Sequence, residues 1–152
     1  MRCLSVLLSV ALLAAVGAST VSAATAVLKD PQTGAVALQG IDVIRFAPNG
    51  VLLIADGKGG QIIAVDTGDV QPLSGPGAKI PNLGAQLAGR LGSKPADVEV
   101  IDLTVNPASG KAYLAVRKQD ERRDLIVTID PNGKLELLSL ENASHVRIAL
   151  PK

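Results

Sequence analysis

Apolar and polar positions run in short stretches along most of the chain, and Pro, Asn, Asp and Gly cut them apart. Val43, Ile44 and Phe46 mark a first strand, and Pro48, Asn49 and Gly50 turn the chain. Pro presets φ, Asn tolerates left-handed backbone, and Gly takes a positive φ without a Cβ clash. Residues 51–55 form a continuous apolar run between turns, which predicts a strand buried on both faces. The Asp-Gly-Lys-Gly-Gly turn of residues 56–60 leads into a third strand over 61–65, closed by Asp66. Residues 70–73 fit a weaker outer strand, since Pro72 is tolerated only at an edge.

The pattern changes over residues 76–97. Leu83, Leu87 and Leu91 stand four apart, one apolar stripe on a helix over 82–91. Asn82 suits the N-cap and Gly92 the residue after the helix. The stripe fits packing on the domain, or a partner-binding face. Strands return over 100–105, 112–116, 125–129 and 135–140, with a last β-prone piece over 145–150. Residues 118–124 carry both signs of charge and read as a solvated hairpin tip. Before all this, residues 24–40 form a lead-in. Their two short apolar stretches flank Pro31 and Gly34, which predicts a weak hairpin or a loose entry segment.

Much of the first block recurs. Ala47-Pro48 matches Asn106-Pro107 at an offset of 59, and Asp66 matches Asp130 at an offset of 64. Between them Gly50 matches Gly110, and Leu53-Ile54-Ala55 matches Tyr113-Leu114-Ala115. Each increase in offset falls in a turn, as one shared supersecondary unit requires. Each unit is a small antiparallel sheet with apolar residues on both faces. Stacking such sheets around an axis covers those faces, and that arrangement is a β-propeller.

The stretches carrying the repeat, residues 46–56 and 60–66 in the first block and 102–107, 110–114 and 129–133 in the second, resemble blades of the six-bladed propeller superfamily. That group includes the NHL-repeat and SMP-30/gluconolactonase-like proteins, and the chain is also similar to uncharacterised secreted bacterial propeller proteins. The resemblance implies an all-β fold, a partial β-propeller of about two four-stranded antiparallel blades with one short inserted helix near 82–91. The blades run over 41–75 and 98–141, the helical insertion over 76–97, and a further strand starts at 145–150. Two blades cannot close a ring that takes at least about four. The chain therefore reads as the first part of a larger propeller, or a fragment of one, with exposed edges and apolar faces that invite self-association.

Composition narrows the class. Hydrophobic residues make up 47% of the chain, and Phe46 and Tyr113 are its only aromatics, so the core is aliphatic. The net charge is +1. That balance leaves no electrostatic footprint for nucleic acid or an anionic membrane. Residues 1–23 have the three parts of a secretory signal: Arg2, the apolar run of residues 4–18, and Val21-Ser22-Ala23. Cleavage is expected after Ala23, or one bond later after Ala24, giving an exported protein, periplasmic or extracellular. The apolar run is shorter than the ~18 or more residues of a spanning helix. A retained N-terminal anchor is the alternative. Cys3 lies inside this segment, so the mature chain has neither a disulfide nor a thiolate site.

The candidate chemistry is sparse. His145 is the only histidine, no G-x-S-x-G motif accompanies it, and an exposed strand or loop position is expected for it. Gly57, Gly59 and Gly60 around Lys58 invite a phosphate-loop reading, but the Walker pattern and its following helix are missing. Asp42, Asp56, Asp66, Asp102 and Asp130 offer hard oxygen ligands of the kind calcium takes. Asp66 and Asp130 stand at equivalent strand ends, where Asp ordinarily forms turns. Gluconolactonase-like enzymes hold a metal at the ring centre with carboxylates and amides, so the resemblance would place Asp102 and Asn106 facing that centre, with the rest of the ligand set lacking. No catalytic, metal or ligand-binding residue is assigned and no cofactor is expected. The expected function is a non-catalytic binding or interaction scaffold for an unknown protein or small molecule. The alternative is part of a metal-dependent, lactonase-like propeller enzyme whose catalytic residues lie beyond this chain.

Overall fold

The computed structural model describes residues 27–77 and 79–151. The expected signal segment lies outside them. The described chain forms nine strands, one α-helix and two 3₁₀ turns. A short strand β1 (Gln32–Gly34) precedes β2 (Val43–Ala47), β3 (Val51–Asp56) and β4 (Gln61–Asp66). Helix α1 (Leu83–Leu91) follows, then β5 (Val98–Val105), β6 (Ala112–Lys118), β7 (Arg123–Ile129), β8 (Leu135–Leu137) and β9 (Ala143–Ala149). They build two antiparallel sheets, ordered β1-β9-β4-β3-β2 and β5-β6-β7-β8.

Equivalent segments of the repeat occupy equivalent strands. β2, β3 and β4 run as a meander, and so do β5, β6 and β7. Gly50 and Gly110 both turn the chain into the second strand, with φ of 72° and 77°. The fourth strands differ in origin. The second sheet takes β8, which follows directly. The first sheet takes β9 from the far end of the chain, so that Leu52, Val65 and His145 share one row.

The two sheets pack face to face. Ile44, Leu52, Ile54, Ile63 and Val65 of the first meet Tyr113, Ala115 and Ile126 of the second. Phe46 stands edge-on to Tyr113, ring centroids 4.8 Å apart. The other face of the second sheet carries Leu114, Val116, Val127 and Ile129, and α1 covers it with Leu87, flanked by Leu83 and Leu91. The leucine stripe therefore packs on the domain. Asn82 caps the helix start and Gly92, at φ 65°, ends it. Fully burying Leu87 contributes about 1.5–3 kcal/mol. That offsets the ~1 kcal/mol each that Gly84 and Gly89 cost inside the helix.

Three expectations need correction. Residues 70–73 form no strand, and Leu73 N–H is held by Ser109 C=O at 3.1 Å. The last β-prone piece opens no further unit; it completes the first sheet as β9, because β4 would otherwise leave its edge groups unpaired. The lead-in forms no hairpin. Its one strand, β1, falls on the expected turn itself and pairs with β9 at Gln32–His145 and Gly34–Ala143.

Candidate functional site

The carboxylates singled out in the sequence are spent on the fold. Asp56 is fully buried and accepts four hydrogen bonds, from Gln39 N–H, Gly40 N–H, Gly59 N–H and Gln61 Nε2, at 2.7 to 3.1 Å. Asp42 accepts from Gly57 N–H at 2.8 Å. A Cβ on Gly57 would lie 2.3 Å from Asp42 Oδ2, and one on Gly59 2.4 Å from Asp56 Oδ2. The glycines of this turn make room for two protein carboxylates. Asp66 accepts from Gly68 N–H, and Asp130 from Asn132 and Lys134 N–H, which is the turn chemistry expected of them.

Asp102 and Asn106 are not brought together. β5 carries a bulge between Val100 and Asp102 that reverses the alternation beyond it. Asp102 thereby pairs with Ala115 on the inner face. There it accepts from Ile44 N–H at 2.9 Å and meets Arg45 Nη1 at 2.6 Å. Asn106 is buried and donates to the Asp69 carbonyl and carboxylate at 2.6 and 3.0 Å. Asp69 also accepts from Ser109 Oγ at 2.7 Å and Tyr113 Oη at 2.8 Å. Burial pushes the Asp69 carboxyl up, but these hydrogen bonds and nearby Lys111 outweigh it and hold it below its ordinary value. Burial and the same carboxylate push the Tyr113 phenol up. This cluster pins the loop after β4 to the second sheet. Among the described residues, no three His, Cys, Asp or Glu side chains converge as a metal site would require.

Two further expectations change. His145 is buried, not exposed: it lies on the inner face of β9, with Nδ1 3.0 Å from Ala143 C=O and no partner for Nε2. The charged run 118–124 is solvated only in its middle. Lys118 is buried on the helix side and ion-paired to Glu121. Asp124 turns inward, takes Arg117 through two 2.9 Å bonds and accepts from Ile41 N–H at 2.6 Å.

The strongest candidate site is a groove that none of these residues announced. β7 is seven residues long, but β8 pairs only with its last three. Leu138 N–H still reaches Ile126 C=O at 2.9 Å. Beyond that bond the chain swings away, and Leu140 C=O accepts from Val36 N–H of the lead-in at 2.8 Å. The splay leaves a cavity of about 400 Å³ between β7, residues 137–141 and residues 35–38. Val36, Leu38, Leu125, Leu138 and Leu140 give it apolar walls, with Arg123 and Glu141 among its polar ones. Its size sits at the lower end of the ~300–1,000 Å³ usual for small-ligand sites. In the sequence, the alternation of Ala35, Val36, Ala37 and Leu38 was a signal that Val36 and Leu38 share a side. Nothing local marked residues 137–141 as the opposite wall.

Comparisons with protein-family models, curated proteins and solved structures find no match to the chain. Among the described residues no helix is long and apolar enough to cross a membrane.

Proposed function

We propose that this chain is an exported, non-catalytic binding module of propeller-type repeat units, and that it holds its ligand in the groove between the lead-in and β7. The groove carries the reading. It combines apolar walls with polar groups at its opening, and it exists because two stretches of backbone turn away from each other. Asp102, the carboxylate a lactonase-like centre would draw from this chain, is already bound to Ile44 N–H and Arg45. The repeat-unit reading is supported by the like placement of β2–β4 and β5–β7 and of the turns between them. Export rests on residues 1–23.

Titrating the chain with 1-hexanol, read by backbone amide shifts, tests the groove. Saturable shifts in residues 123–126 and 138–141 are expected, and Ala35→Trp, which fills the groove from an exposed position, should abolish them. Shifts untouched by Ala35→Trp, or absent with hexanol and with short apolar peptides alike, would overturn the binding reading. Export is checked separately by the N-terminus of the secreted protein, expected at Ala24.

A further inference from the structure

Resting on that reading, we infer that the groove takes a short apolar peptide with free ends, bound in extended form along the edge of β7. Three features of the groove select this ligand.

The first is open backbone. Ile126 C=O points away from β6, toward Leu138 N–H. N–H and C=O of alternate residues in a strand point the same way, so those of Asp124 also face the groove. No strand stands opposite them, because β8 stops short and the following segment bonds to the lead-in. A ligand lying there has to offer both a donor and an acceptor at the spacing of a peptide unit, as in strand addition to a sheet edge.

The second is apolar depth. Val36 and Leu38 on one wall and Leu138 and Leu140 on the other give an aliphatic side chain a place to bury. The cavity is too small for a long segment, so the ligand is short.

The third is charge. Arg123 stands on β7 and Glu141 on the segment that has left it. Both line the groove and both are exposed. Neither enters an ion pair among the described residues. Unpaired charges of opposite sign on the two walls complement a zwitterion: a carboxylate for Arg123 and an ammonium group for Glu141. A fatty acid or alkyl alcohol would fill the apolar walls but leave Glu141 and the Asp124 backbone without partners.

The test is an amide-shift titration of the chain with three probes: the dipeptide Leu-Leu, the same dipeptide acetylated and amidated at its ends, and 1-hexanol. Leu-Leu should bind with shifts centred on residues 123–126 and 138–141. Capping both ends should weaken binding about tenfold, as should Arg123→Gln, each removing charge-assisted hydrogen bonds. Glu141→Gln should weaken Leu-Leu but leave hexanol unchanged. Both substitutions are at exposed positions, and unchanged thermal melting would show that the fold is kept. If hexanol binds in the groove and Leu-Leu does not, or if capping makes no difference, the zwitterionic peptide is overturned while the binding reading stands. If no probe shifts these amides, both fall.

Discussion

Asp56 sets the scale at which single residues hold this fold. Its two oxygens organise Gln39, Gly40 and Gly59 N–H and the Gln61 amide in a fully buried spot. Removing it leaves several donors without partners, and each unpaired buried group costs ~1–3 kcal/mol. Asp56→Ala should therefore lower stability by about 3 kcal/mol in urea melts, near the upper end for a point substitution. Gly59→Ala should be destabilising through the same carboxylate, since its Cβ lands 2.4 Å from Oδ2. A loss below ~0.5 kcal/mol for Asp56→Ala would mean that water replaces the carboxylate easily. The carboxylates also give the protein a pH dependence. Burial raises the carboxyls of Asp56, Asp69, Asp102 and Asp124, but the hydrogen bonds they accept outweigh it, so all four lie below their ordinary value. In the unfolded chain they take up protons near pH ~4. The folded chain takes them up only at lower pH, so below about 4 the unfolded state binds more protons. The stabilisation is complete above that range and is lost as pH falls through the folded values. The urea midpoint should be flat from pH 7 to about 5 and then fall steadily toward pH 2; a midpoint that stays level to pH 2 would contradict these assignments.

Among elements, α1 is the most open to improvement. Gly84 and Gly89 are exposed, and a Cβ on either meets nothing within 4 Å. Gly84→Ala and Gly89→Ala should each add up to ~1 kcal/mol, additively, in thermal melts. No gain from either would mean that the helix backbone departs from the geometry described. This helix was legible in the sequence because its signals are local: three leucines at one spacing, a cap before and a glycine after. The meanders β2–β4 and β5–β7 were legible for the same reason, each pair of strands being joined by a recognisable turn. β9 was not. It pairs with β4 some eighty residues away, and its alternation gives no hint of a partner. Worse, its aliphatic residues point the misleading way. Val146 and Ile148 share rows with Ala64 and Ile62 on the outer face, while His145 and Arg147 share rows with Val65 and Ile63 on the inner one. A reading that sends aliphatic residues to the core would turn the strand over and expose His145, as expected from the sequence alone. The groove was hidden likewise, since it depends on where residues 137–141 leave one strand and join the lead-in.

At the scale of the whole molecule, that inverted strand has a physical consequence. The outer face of the second sheet is covered by α1; on the outer face of the first, Val51 and Ala64 are buried but the flanking Val43 and Ile148 are exposed. Val43, Ala55, Ile62 and Ile148 form one row across it, and Arg45, Leu53, Ala64 and Val146 form the next. Val43 is 41% exposed and Ile148 54%. A strand that spends its aliphatic residues outward leaves apolar surface on that face. In solution the same face on a second copy is a ready cover. Four strands ~4.8 Å apart and about six residues long at ~3.3 Å each give a footprint of roughly 400 Å². Two such faces together remove roughly 800 Å², below the ~1,200 Å² of stable interfaces. The self-association expected here is therefore weak and concentration-dependent rather than permanent. Sedimentation velocity from micromolar to millimolar protein should give a rising weight-average coefficient. Val43→Lys with Ile148→Lys should hold it at the monomer value, and should change stability by no more than ~0.5 kcal/mol per site because both residues are exposed. A coefficient that stays at the monomer value across that range in the unsubstituted chain would mean that the bare sheet face tolerates water on its own.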